Sequence, residues 1–83
     1  MTLITRTPQQ VGEIVRRRRL ALQQTQESIA EQVQLRQATI SKLEAGEPGT
    51  RLGTLFAVLA ALDLEVVIRP RTRSSTSDIE DNF

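Results

Sequence analysis

The sequence predicts a mainly α-helical fold of four to five short helices, followed by one β-strand that pairs across a homodimer. Apolar residues recur every three or four positions over residues 11–62, which is the period of an amphipathic helix. One alternating stretch, at residues 64–71, follows them and is typical of a strand. A chain of 83 residues with only two aromatic residues forms one domain with a small core, so we expect a dimer.

The first helix is predicted from residue 7 to about residue 22. Thr7 followed by Pro8 is a typical start, because the hydroxyl can accept a backbone N–H and proline suits the first turn. Arg16 to Arg19 fall inside this helix and, at about 100° per residue, point around its whole circumference. At most two of them can contact phosphate, and solvation or a structural ion pair are the alternatives. The predicted inward stripe is Val11, Ile14, Val15 and Leu22.

Residues 26–45 predict two short helices joined by a tight turn. Thr25 can cap the first helix, whose polar first turn leaves N–H groups that suit a phosphate. The second helix begins near Gln37, and the small Ala30 allows the two helices to cross closely. The predicted inward side chains are Ile29, Ala30, Val33, Leu35, Ile40 and Leu43. This is the layout of a helix-turn-helix, which indicates binding to DNA.

The second helix of the pair leaves a polar face outward that suits the major groove. Gln37 can pair with adenine, Ala38 can contact a thymine methyl group, and Lys42 can reach guanine or phosphate. The candidates for reading bases are Arg36, Gln37, Ala38, Ser41 and Lys42, and those for phosphate are Thr25, Gln26, Thr39 and Arg51. The alternative is an amphipathic helical hairpin whose outer face is only solvated.

A further helix and a strand are predicted after the helix-turn-helix. Gly46, Pro48 and Gly49 indicate a loop, and Thr50 is expected to cap the next helix. The predicted core residues of that helix are Leu52, Leu55, Phe56, Leu59 and Leu62. The strand at residues 64–71 needs a partner; residues 2–5 are one choice, and the same strand of a second copy is favoured. Its dimerisation residues would be Leu64, Val66, Val67 and Ile68.

Composition excludes several classes of protein. Without cysteine or histidine the chain lacks disulfides, thiolate nucleophiles and nearly every zinc arrangement, so no metal or cofactor is expected. Ser41 and Lys42 project about 100° apart with no base nearby, so no enzyme is expected either. No apolar run approaches the roughly 20 residues of a membrane span, and the N-terminus lacks the order of a signal peptide. We therefore expect a cytoplasmic protein that does not contact membranes.

Charge is unevenly distributed along the chain. Residues 1–73 hold all 11 Lys and Arg with 7 of the 10 acids, whereas residues 74–83 hold the other 3 acids and no base. The expected organisation is an N-terminal extension at 1–6, a DNA-binding domain at 7–63, a dimerisation strand at 64–71 and a flexible acidic tail at 72–83. Ile79 and Phe83 are the only sizeable apolar residues of the tail. They anchor it to a protein partner, or the tail only aids solubility.

Three stretches resemble the lambda-repressor-type (Xre) helix-turn-helix family in its HipB-like branch. They are VRRRRLALQQTQESIAEQV, QATISKLEAGEP and TRLGTLFAVLAALDLEVVIRPR, and the resemblance covers about residues 8–71. HipB-like proteins are dimeric antitoxins whose C-terminal strands pair, which repress their own operon and bind a HipA-type Ser/Thr kinase toxin. The resemblance therefore implies an autoregulating antitoxin that binds operator DNA, itself and such a kinase. The alternative is a stand-alone Xre-type regulator with no toxin partner.

The resemblance also assigns roles to single residues. It implies that Gln26 holds phosphate, that residues 36–38, 41 and 42 lie at or near bases, and that the tail engages the toxin. Arg19 and Glu44 match a pair that joins across the fold of such domains. Gln23 and Gln34 stand where the family usually has a left-handed glycine, which predicts either a cost of about 1 kcal/mol each or rearranged turns.

Overall fold

The computed structural model describes residues 3–71, which contain four helices. These are α1 (Pro8–Ala21), α2 (Gln26–Val33), α3 (Gln37–Glu44) and α4 (Leu52–Ala61). The mainly α-helical prediction is confirmed, and four rather than five helices lie within the described range. The buried core is formed by Val15, Ile29, Ala30, Ile40, Leu43, Val58, Leu59 and Leu62.

The first two helices begin at the predicted capping residues. The Thr7 hydroxyl oxygen accepts the Gln10 N–H at 3.1 Å, and the Thr25 hydroxyl oxygen accepts the Ser28 N–H at 3.0 Å. The prediction that Thr50 caps α4 is wrong. Its hydroxyl donates to the Glu47 carbonyl at 3.0 Å, inside the preceding turn, and α4 begins one residue later without a side-chain cap.

Each of the four helices is followed by a turn that contains one residue in the left-handed conformation. Their φ angles are 57° at Gln23, 58° at Gln34, 86° at Gly46 and 57° at Asp63. The chain then folds back, as where the Gln24 N–H donates to the Arg19 carbonyl at 3.0 Å. Glutamine therefore does not rearrange the two turns, and each departure from glycine costs about 1 kcal/mol.

The predicted core face of α4 is partly wrong. Leu55, Leu59 and Leu62 face inward, but Leu52 and Phe56 are 67% and 47% exposed. Val58, which is fully buried, takes the central place. Position 56 is about 200° around the helix from position 58, so burial of Val58 turns Phe56 toward solvent. Leu22 is also exposed, since it lies past the end of α1.

Helices α1 and α3 approach each other most closely at Gly12. A Cβ atom at this position would lie 2.6 Å from the carbonyl oxygens of both Leu43 and Glu44. The backbones therefore meet with no room for a side chain. The last turn of α3 thus lies beside the N-terminal half of α1, and the Arg19 side chain reaches Glu44 from the other end of α1.

Residues 64–71 have no regular secondary structure and form no ladder with any other part of the described chain. Leu64 packs against the core, whereas Val66, Val67 and Ile68 are exposed. Residues 3–6 are also non-helical and line the same groove as residues 64–71, without pairing to them. Strand pairing, with either predicted partner, stays a prediction.

Candidate nucleic-acid interface

The outward face of α3 carries the side chains predicted to read bases. Gln37, Ala38, Ser41 and Lys42 are exposed, while Ile40 and Leu43 on the opposite side are buried. Arg36 is the exposed N-cap residue and makes no capping bond with its side chain. The Thr39 N–H donates to the Arg36 carbonyl at 3.0 Å, but the N–H groups of Gln37 and Ala38 come before any intrahelical acceptor, so this end of α3 suits a negatively charged group. Base reading by these residues stays a prediction.

Arg51 lies on the same side of the molecule as the outward face of α3. Together with Thr39 and Lys42 it lines a shallow concavity between α3 and the loop that precedes α4. Lys42 and Arg51 are exposed, and neither forms an ion pair within residues 3–71. Glu47 lines the same concavity and opposes their charge in part. The arrangement offers two cations and a hydroxyl to a phosphate backbone.

A buried ion pair joins α1 to α3. Arg19 Nε donates to Glu44 Oε2 at 2.6 Å, and Arg19 Nη2 donates to Glu44 Oε1 at 2.9 Å. The two side chains are only 10% and 4% exposed, and Arg19 Nη1 also donates to the Gln24 carbonyl at 2.9 Å. The hydrogen bond to Glu44 raises the pKa of Arg19, against an opposing effect of burial. The pair implied by the resemblance is present, and it fixes the end of α1 to α3.

Two glutamines extend this ion pair to the surface. Gln26 Nε2 donates to Glu44 Oε1 at 3.1 Å, and Gln37 Nε2 donates to Gln26 Oε1 at 3.5 Å. The sequence predicts Gln26 only as a phosphate contact and does not indicate these two hydrogen bonds. The available signal was a glutamine at the first position of each helix of the pair, with a glutamate at the end of the second.

The other arginines of α1 have separate roles. Arg17 Nε donates to Glu13 Oε1 at 3.0 Å on the exposed side of the helix. Arg18 Nε donates to the Leu62 carbonyl at 2.9 Å and so binds the end of α4. Arg16 is exposed. The expectation that the four arginines point around the helix is confirmed, and the role of Arg18 was missed because its acceptor lies 44 residues away.

Predictions about toxin contacts, membrane spans and metal ions concern other parts of the molecule. The proposed toxin contacts Ile79 and Phe83 lie outside the described residues. Between residues 3 and 71, none of the helices has the length and apolar character needed to cross a membrane. The same part of the chain contains no group of three acidic side chains placed to hold a metal ion.

Comparison with known proteins agrees with this fold. The family model HTH_3, described as helix-turn-helix, matches residues 15–68. A solved structure described as a HipB–O4 20mer complex is 28% identical with a TM-score of 0.78, over 83% of this chain and 97% of that chain. A HipA–HipB–O2–O3 complex gives the same identity, coverage and TM-score. A search of curated protein sequences finds no match. Since the family match takes in α2, α3 and α4 and more than half of the chain, the protein belongs to the HTH_3 helix-turn-helix family and is HipB-like.

Proposed function

We propose that this protein is a HipB-type antitoxin: a dimeric, operator-binding transcriptional repressor that autoregulates its operon and binds a HipA-like kinase toxin. The observation that carries the DNA-binding part is the exposed polar face of α3, held in place by the buried Arg19–Glu44 pair. Its support is the likeness to HipB in a complex with a 20mer.

In this proposal α3 enters the major groove of the operator. Gln37 pairs with adenine, Ala38 contacts a thymine methyl group, and Ser41, Lys42 and Arg36 reach guanine or phosphate. The phosphate contacts come from the edges of the surface and from the N-terminus of α3. They are assigned to Thr25, Gln26, Thr39 and Arg51.

The proposed dimer pairs residues 64–71 of two copies. Val66, Val67 and Ile68 are 47%, 70% and 91% exposed, and a second copy would cover them. Antiparallel pairing about a two-fold axis would also satisfy backbone groups that have no ladder within the described chain. The two α3 helices would then face half-sites about 34 Å apart, or one turn of DNA.

The toxin partner is proposed from the likeness to HipB in a complex that also contains HipA. The acidic tail at residues 74–83, with Ile79 and Phe83, is the segment assigned to this contact. A stand-alone Xre-type regulator remains the second candidate, because the same α3 surface would serve it equally well.

The DNA-binding proposal is tested with Gln37→Ala and Lys42→Ala, measured by fluorescence anisotropy on the duplex selected from a random 20-base-pair pool. Gln37→Ala should weaken binding by about 1–3 kcal/mol and relax the preference at one base position. Lys42→Ala, where it removes a phosphate contact, should weaken all sequences similarly and lower the slope of affinity against salt by about one. Unchanged affinity and base preference for Gln37→Ala would contradict the placement of α3 in the groove.

The toxin proposal is tested on the neighbouring reading frame, which the proposal predicts to encode a HipA-like kinase. The full chain should co-purify with the kinase, and deletion of residues 74–83 should weaken that complex while leaving operator affinity unchanged. Equal affinity of both forms for the kinase would make the tail idle. Absence of such a reading frame, together with no bound kinase in a native pull-down, would favour the stand-alone regulator.

A further inference from the structure

The last turn of α1 carries two neighbouring arginines that bond to the ends of two different helices. Arg19 pairs with Glu44 at the end of α3. Arg18 Nε donates to the Leu62 carbonyl at the end of α4, at 2.9 Å. We propose that Arg18 is a positioning residue that fixes the angle between α3 and residues 64–71, and thereby sets the half-site separation that the dimer accepts. This inference rests on the proposed operator-binding dimer.

The two arginines can hold two helices because they point in different directions. Consecutive positions of a helix point about 100° apart, so one turn of α1 can face both α3 and α4. The Arg19 side chain is buried against α3, and the Arg18 side chain is half-buried against the end of α4. Helix α4 packs mainly against α2 rather than α1. The Arg18 hydrogen bond is therefore a specific link that fixes the end of α4 relative to α1 and, through Arg19, to α3.

The chain leaves α4 through a turn that its own backbone closes. The Asp63 and Leu64 N–H groups donate to carbonyls of the last turn, at 3.1 and 2.8 Å. Within the described residues the Leu62 carbonyl accepts no backbone N–H, and the Arg18 guanidinium suits it because the end of a helix carries a partial negative charge. The turn fixes the start of residues 64–71 to α4, and Arg18 fixes the same point to α1.

The angle at this point bears directly on the operator. In the proposed dimer residues 64–71 lie at the two-fold axis, and each α3 faces one half-site. One more base pair between the half-sites adds about 3.4 Å of length, and it adds about 34° of rotation because a turn contains about 10.5 base pairs. To accept that duplex, each α3 must shift and turn against residues 64–71 by half of these amounts. The Arg18 bond resists this movement, so its loss should let the dimer accept more than one separation.

The test compares Arg18→Met with Arg18→Gln. The amide nitrogen of glutamine occupies the same place along the side chain as arginine Nε, so Arg18→Gln keeps a donor for the Leu62 carbonyl and loses the charge. Arg18→Met has the same length and no donor. Arg16→Met is the control for loss of charge, because Arg16 is exposed and lies two residues earlier. Folding is checked by circular dichroism, and each variant is studied at concentrations where sedimentation equilibrium shows a dimer.

The first readout is the distance between the two α3 helices of the dimer in the absence of DNA. The chain has no cysteine, so Ser41→Cys, on the exposed face of α3, gives one spin label per subunit. Pulsed electron paramagnetic resonance then measures the distribution of distances between the two labels. With Arg18 intact, and in Arg18→Gln or Arg16→Met, this distribution should be narrow. Arg18→Met should broaden it by about 3 Å, the rise of one base pair.

The second readout is the dependence of affinity on the separation of the half-sites, measured without the label. The wild-type protein selects its duplex from a random 20-base-pair pool, and a second duplex carries one extra base pair at the centre. The wild-type chain, Arg18→Gln and Arg16→Met should bind the longer duplex more weakly. In Arg18→Met this spacing penalty should fall by about tenfold, the effect of one hydrogen bond from a charged donor. Affinity for a single half-site should be equal in Arg18→Met and Arg16→Met, since a general loss of stability does not change the spacing penalty.

The outcomes separate this role of Arg18 from the dimer itself. A folded Arg18→Met dimer that keeps the wild-type distance distribution or the wild-type spacing penalty overturns the inference. Equal changes in Arg18→Gln overturn it too, because the charge and not the donor would then be responsible. If Arg18→Met does not fold, Arg18→Leu takes its place, and unfolding of both overturns the inference. A wild-type chain with no distance between labels, or no preference for paired half-sites, instead overturns the proposed operator-binding dimer.

Discussion

The helix-turn-helix pair and the segment at residues 64–71 both carry large apolar side chains, but only the first buries them within one chain. Ile29 and Ile40 are 1% and 0% exposed, whereas Val67 and Ile68 are 70% and 91% exposed. The helices also pair most of their own backbone groups, whereas residues 64–71 form no ladder within the described part of the chain. The first region is therefore complete in a monomer, whereas the second would be completed by the proposed second copy.

We expect the largest effect at residues 64–71, where the proposed second copy would pair. Val66→Pro removes a backbone N–H and fixes φ, which is incompatible with a paired strand. The variant should be monomeric at concentrations where the wild-type chain is dimeric, as measured by sedimentation equilibrium, and should lose cooperative binding to two half-sites. Its helix content should stay the same, since residue 66 lies outside all four helices. An unaffected dimer would rule out pairing through residues 64–71.

In the helical region the largest effect is expected from removal of Glu44. Glu44→Ala leaves the Arg19 guanidinium buried without its carboxylate, which should lower the free energy of unfolding by about 3–5 kcal/mol. Denaturant titration followed by circular dichroism measures this change. Glu13→Ala is the control, because it breaks an ion pair whose side chains are 71% and 51% exposed. That loss should be at most about 0.5 kcal/mol, and equal losses would mean that burial does not decide the effect.

Close packing at Gly12 provides the next test of the same region. Gly12→Ala places a methyl group where two carbonyl oxygens lie 2.6 Å away, so α1 and α3 must separate. We expect destabilisation of about 1–3 kcal/mol, measured by thermal unfolding. Gly53→Ala is the control, because a Cβ there meets nothing within 4 Å. It should stabilise α4 by about 0.5–1 kcal/mol, and a loss of similar size to that of Gly12→Ala would argue against the crossing.

The sequence predicted well those features that depend on neighbouring residues. Thr7 and Thr25 are predicted as caps because a capping hydroxyl and the N–H group that donates to it lie three residues apart. The buried face of α4 was harder, since Phe56 and Val58 both fit a helical spacing and only the packing of other helices decides which is buried. Residue spacing alone does not predict contacts of long separation, such as the one between Arg18 and the carbonyl of Leu62.

In the candidate site, too, features set by local spacing were predicted and features set by the packing of helices were not. The outward position of Gln37 follows from the periodicity of α3, and the Arg19–Glu44 pair followed from family resemblance. The Gln26–Glu44 contact depends on the angle at which α2 crosses α3, which residue spacing does not specify. The sequence therefore predicts which side chains lie on the outward face of α3, but not the hydrogen bonds that these side chains make.

The smallest expected effect concerns the turn between α2 and α3. Gln34 has φ 58°, a region in which a side chain is strained and glycine is not. Gln34→Gly should therefore raise the free energy of unfolding by up to about 1 kcal/mol, measured by denaturant titration. Gly46→Ala is the mirror-image control, because Gly46 has φ 86° and an added Cβ would lie 2.8 Å from the Gln9 Cα. That variant should be destabilised by more than the gain from Gln34→Gly. No gain from Gln34→Gly would mean that the exposed glutamine side chain offsets its own backbone strain. Since each turn closes on its own helix, both effects should persist in the monomeric Val66→Pro background.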